Sequence, residues 1–291
     1  MSNLKVNLDF LIKPALALSL IFVSSNLYAQ NAQTNSSQAA NSSYQKIANQ
    51  ESLLSRIKFE LGMEYSQNVS VDELSRRESG VDIGLSLSYK LTDFSSLLAK
   101  TAFSRSNNPP NNTEVTDTLV GMSLKGYDFS KTVNSAHALL VILPTSEKSK
   151  KENRLYSGLV ISNGINYNGD ILKAGYSISL GRSFHEFNIN ANNVPNIEYN
   201  VSNKISLNIG LSEKFSINNE FIYKTAWTYA SKQRFSYEYH SDLMFEASDK
   251  WALNLGTSNA GNALKANGLD SNINVFDENT SIVRAGLSLS L

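Results

Sequence analysis

Charged side chains stand at every second or fourth position in segments whose alternate positions are apolar: Lys58, Glu60 and Glu64, then Asp82 and Lys90, Lys100, Lys125, Lys173, Lys204, Glu220 and Lys224, then Glu238, His240, Asp242 and Glu246, and finally Arg284. Groups at this spacing share one face of an extended chain. Such a face lines a water-filled passage, orients dipolar solutes in it, or closes it by pairing across it. Lys100, Lys125, Lys173 and Lys204 come from segments that contribute only Lys, whereas Glu238, Asp242 and Glu246 share a segment whose only charged residues on that face are acids. Once rolled up, the chain sets a basic wall against an acidic one. A second chemistry is nucleophilic: Ser183, His185 and Glu186 supply nucleophile, base and orienter, and Ser135 with His137 repeats the Ser-x-His spacing. In a Ser-rich chain such pairs arise by chance, so no catalytic residue is assigned. His240 between Glu238 and Asp242 reads as a charged wall residue rather than a metal ligand. No metal and no cofactor are expected.

The elements that carry these groups are strands. In Ser281–Leu291, Val283, Ala285, Leu287, Leu289 and Leu291 alternate with Arg284, Gly286, Ser288 and Ser290, a period of two with one oily and one wet face. The same design recurs from Arg56 onward in about twelve segments of roughly ten residues, long enough when tilted to cross an apolar band of about 25 Å. Links at one end are tight, as at Thr92–Ser95, Asn168–Asp170, Ser212–Lys214 and Ser248–Lys250, and most links at the other end are long and polar. Two depart from this: Gly126–Ser135 is long for a turn and Ala230–Arg234 short for a loop. The fold expected is all-β, a single transmembrane antiparallel up-and-down β-barrel over residues 56–291. A soluble β-sandwich would have shorter and less uniform strands.

Glycines within the strands, such as Gly62, Gly84, Gly175, Gly256 and Gly286, fall on the wet parity, and aromatic residues gather at strand ends, Tyr89, Tyr167, Phe215, Phe245 and Trp251 at one rim and Tyr65, Phe103, Tyr199, Trp227 and Phe235 at the other. These are the girdles of a lipid-embedded barrel. The segment Ala136–Pro144 is apolar on both parities. Its inward set is read as His137, Leu139, Val141 and Leu143, so Leu139, Val141 and Leu143 form an apolar lumen patch that something must cover. A plug built on Ile47, Leu53 and Leu54, or an apolar solute track, would do so.

Lys5 and Lys13, the apolar run Pro14–Val23 and the exit at Ala29 read as a signal peptide, residues 1–29, whose apolar run is too short to span a bilayer. Residues 30–55 begin with an Asn-, Gln- and Ser-rich tract and read as a flexible periplasmic leader. With 26 Lys and Arg against 26 Asp and Glu, nothing marks a nucleic-acid partner.

From Arg56 to Leu291 the chain resembles the Gram-negative outer-membrane β-barrel family. Leu287, Leu289 and Leu291 resemble that family's C-terminal assembly signal, which implies barrel-insertion machinery as a partner alongside outer-membrane lipid and lipopolysaccharide. The sequence ends on Leu where an aromatic is usual. Val141–Ser146 is also similar to a strand-to-loop element of barrels described as phenol meta-pathway transporter-like. The function expected is a porin-like channel for small hydrophilic solutes. The alternatives are a structural or surface-display barrel without transport, and a lipid-modifying barrel enzyme.

Overall fold

The computed structural model describes residues 56–71, 77–108 and 112–291. The segments read as signal peptide and leader, with Ile47, Leu53 and Leu54, lie outside the described residues. The strands are β1 (Ile57–Asn68), β2 (Ser79–Lys90), β3 (Ser95–Ser106), β4 (Thr113–Val115), β5 (Thr118–Asp128), β6 (Val133–Leu143), β7 (Leu155–Asn168), β8 (Leu172–His185), β9 (Ile197–Gly210), β10 (Phe215–Thr228), β11 (Gln233–Glu246), β12 (Trp251–Asn262) and β13 (Ile282–Ser290). All but the three-residue β4, which flanks β3 in a loop, form an antiparallel ring in chain order. The ring closes between β13 and β1: Phe59 N donates to Leu291 O at 3.0 Å and Leu291 N to Phe59 O at 2.9 Å. Closure leaves no open edge, so backbone polar groups are met within the wall and the structure tolerates hydrocarbon around it.

The register decides which parity faces out. Met63, Leu87, Val120, Leu253 and Val283 belong to one parity and are exposed. The other parity holds Glu64, Asp242 and Arg284, which pair inside the ring. The bulky apolar parity is therefore the outer surface, where only lipid matches it.

For β6 this corrects the expected apolar lumen patch. Leu139 pairs with Met122 and Ile161, Val141 with Val120 and Leu159, and Leu143 with Thr118. Directly opposed residues point to the same face of a sheet, so Leu139, Val141 and Leu143 lie outside, facing lipid, and His137 with them. The inward set is Ala136, Ala138, Leu140 and Ile142. A segment apolar on both faces carries no parity of its own, and a one-residue slip exchanges the faces. Only its neighbours resolve it.

The tight end of the barrel is more regular than expected. β5 runs on to Asp128 through an irregularity between Lys125 and Asp128, so the link to β6 is only 129–132, closed by Phe129 N donating to Val133 O at 2.9 Å. At this bulge Tyr127 N donates to Ser135 Oγ at 2.8 Å, and a Cβ on Gly126 would lie 2.1 Å from that oxygen. The link at 229–232 stays short on the loop side, with Ser231 at φ 56°. The last loop, 263–281, leans on the outer wall: fully buried Asn259 donates to Asn274 O at 2.8 Å and accepts from Thr280 Oγ1 at 2.8 Å, while Asn274 N donates to Tyr237 Oη at 3.2 Å.

Candidate functional site: the inner wall of the barrel

Alternation along β9–β13 and β1 turns a series of ionised side chains inward, and the stagger of the strands brings them together in diagonal steps. Lys204 of β9 lies 2.5 Å from Glu220 of β10, and Lys224 of β10 donates to Glu238 of β11 at 2.5 Å. Arg284 of β13 donates through Nη2 to Asp242 of β11 at 2.5 Å and through Nη1 to Glu64 of β1 at 3.5 Å. The side chains of Arg284 and Asp242 are only 14% and 7% exposed, which makes this the most enclosed ion pair of the wall.

Glycines make the two longer reaches possible. Gly256 stands between Arg284 and Asp242 in the ladder, and a Cβ there would lie 2.1 Å from Asp242 Oδ1. Gly286 stands between Glu64 and Asn254, whose Nδ2 donates to Glu64 Oε2 at 3.4 Å, and a Cβ there would lie 2.3 Å from Asn254 Oδ1. Each is a window through which a side chain on one strand reaches a carboxylate two strands away.

The remaining inward charges divide into paired and bare. Lys58 meets Glu60 at 2.6 Å, Lys90 meets Asp93 at 2.7 Å and Lys125 meets Asp128 at 2.9 Å, all local pairs at the tight-turn end. In its turn, Asp93 is held below the ordinary carboxylate range by its hydrogen bond to Lys90. Lys100, Lys173, Asp82 and Glu246 have no charged partner among the described residues. His240 stands opposite Glu220 and Ser258, with its Nδ1 buried and unpartnered. The acidic strand β11 lies five and six strands from the Lys100- and Lys125-bearing β3 and β5, but only two and three from the Lys204- and Lys173-bearing β9 and β8, so the expected basic wall is divided and only half of it stands opposite the acids. Lys224 of β10 and Arg284 of β13 neutralise Glu238 and Asp242 on the acidic strand.

Opposite the Arg284 cluster the wall is apolar. Leu98, Gly121, Leu140 and Val160 form one row across β3, β5, β6 and β7, and Leu119, Ile142 and Gly158 form the next, which ends on Lys100 of β3. The apolar side of the lumen is thus built from the parity of β6 opposite to the one expected. Recesses open at both ends of the barrel. One of about 640 Å³ at the tight-turn end is lined by Glu60, Lys100, Glu246 and Trp251. Another of about 500 Å³ at the loop end is lined by Asp82, Arg105 and Glu114.

The candidate nucleophiles are arranged otherwise. Glu186 faces Arg154 at 4.0 Å, and the His185 ring packs edge-on to Tyr229 with centroids 5.8 Å apart. Tyr229 Oη donates to the backbone oxygen of Ser183 at 2.9 Å, and no hydrogen bond joins the Ser183 and His185 side chains among the described residues. His137 is on the outer face, its Nδ1 2.8 Å from Asn163 Oδ1.

No family model matches the chain, and no curated protein is similar to it by sequence. Solved structures share its fold. An outer membrane channel from Pseudomonas putida F1 superposes with a TM-score of 0.56 at 10% identity, covering 81% of this chain and 95% of that one. The NanC porin gives 0.53 at 10% identity, covering 80% and 100%. A closed, even-stranded, up-and-down barrel with an apolar exterior, girdled rims and a charged interior is built for one solvent, the outer membrane of a Gram-negative bacterium. The chain is an outer-membrane β-barrel.

Proposed function

We propose that the protein is a porin-like channel for small hydrophilic solutes. The observation that carries this reading is the course of the ion pairs. Charges that plug a barrel bridge opposite walls, whereas Lys204–Glu220, Lys224–Glu238 and Arg284 with Asp242 and Glu64 join adjacent or next-adjacent strands and stay on the wall. The passage between keeps its recesses at both ends and its bare Lys100, Lys173, Asp82 and Glu246. The neighbours in fold support the same reading, since one is described as an outer membrane channel and another as a porin.

Purified protein in a planar bilayer should give discrete current steps that scale with salt concentration. A membrane that stays sealed at high protein loading would overturn the channel and leave the structural barrel, which is electrically silent.

A further inference from the structure

The outer surface is not uniform. On β13, β1, β2, β3 and β5 the mid-strand outward positions are apolar except for Thr101, as in Leu287, Met63, Leu85, Ala99, Val120 and Met122. On the other half, carboxamides stand on the lipid-facing parity. One row runs His137, Asn163, Ile178, Asn203, Tyr223 across β6 to β10. The next runs Leu207, Asn219, Ser241, Thr257 across β9 to β12. These residues are half-buried and lie well inside their strands, away from both rims.

Each amide oxygen is engaged within the wall: Asn163 by His137, Asn203 by the Tyr176 hydroxyl at 2.8 Å, and Asn219 by the Tyr239 hydroxyl at 3.0 Å. The Nδ2 donors of all three, and the hydroxyls of Ser241 and Thr257, have no partner among the described residues. Hydrocarbon offers none. A polar donor facing lipid tails loses its hydration without compensation, and three confined to one side of the barrel call for a protein surface there. The belt is uncharged and sets donors (amide NH₂) beside acceptors (Ser241 Oγ, Thr257 Oγ1, Tyr223 Oη). That composition complements itself, whereas a lipopolysaccharide head group would call for charge at the rim.

We infer that the face centred on β9 and β10, which carries Asn203, Asn219 and Tyr223, is an interface and that its partner is a second copy of this chain, the two copies supplying each other's missing hydrogen bonds there. The inference rests on the barrel lying in a membrane and is independent of whether it conducts.

The absence of cysteine gives a clean test. Ile205, 54% exposed within the belt, and Met63, 49% exposed on the apolar half, take single substitutions Ile205→Cys and Met63→Cys in the full chain. In outer membranes and in liposomes, a flexible bismaleimide should convert Ile205→Cys to a covalent homodimer and leave Met63→Cys monomeric. Adding Asn163→Leu, Asn203→Leu and Asn219→Leu to Ile205→Cys should cut the dimer yield at least tenfold while the heat-modifiable folded band persists. A monomeric Ile205→Cys, equal cross-linking from both positions, cross-linking only to a different protein, or an undiminished dimer in the folded Leu variant would each overturn the inference. Should the Leu variant fail to fold, the comparison of the two cysteine positions still decides.

Discussion

Arg284 and Asp242 meet at 2.5 Å across a strand to which neither belongs. The contact exists because the intervening position is Gly256, and it is the reason the enclosed guanidinium is tolerated so far from water. Breaking one side of such a pair leaves an uncompensated buried charge, at a cost of about 3–5 kcal/mol.

Gly256→Ala should therefore destabilise the barrel by about that much, because the new methyl competes with the Asp242 carboxylate for one space and lies 2.3 Å from the Ser241 backbone oxygen. The check is urea unfolding in liposomes, with Asp242→Asn as the reference. Gly62→Ala, where a Cβ would meet nothing within 4 Å, should be nearly neutral.

The bare lysines should set ion selectivity. Lys100→Glu with Lys173→Glu should move the reversal potential under a salt gradient toward cation preference. Exchanging a pair, Lys204→Glu with Glu220→Lys, should leave it close to that of the unaltered protein, since the pair presents little net field at a distance.

Adjacent residues of β6 should respond oppositely to the same substitution. Leu139→Arg places a cation in lipid near mid-depth and should cost about 2–4 kcal/mol of folding stability. Leu140→Arg faces the passage, should fold with little loss, and should change conductance. Folded yield on unheated gels and single-channel current read the two effects separately.

Most of the architecture could be read from residue order, for a physical reason: a wall wet on one side and oily on the other must alternate, and each strand reports its own orientation. That logic failed where both sides are apolar. Leu139, Val141 and Leu143 could be placed only through Met122, Val120 and Ile161 on neighbouring strands. It also overlooked the three-residue β4 and the bulge at Gly126, both too short to show a period. Inward charges were identifiable one at a time, but their partners were not. Arg284 finds Glu64 through the stagger between adjacent strands and Asp242 through the Gly256 window, and neither is visible in a strand taken alone.

Asn259→Ala should release the last loop. It removes hydrogen bonds to Thr280, Asn274 O and Tyr237 at the base of 263–281. Added external protease should then cut this loop at least several-fold faster in intact cells, with the barrel core unaffected.

That anchorage bears on what meets the cell from outside. A loop tied to the rim by a fully buried asparagine presents a fixed epitope, so an antibody or phage tail fibre that docks there has little ordering entropy to overcome. Such a ligand would see a shape already set by the wall beneath it, and the identity of Asn259, which it never touches, would govern how tightly it holds.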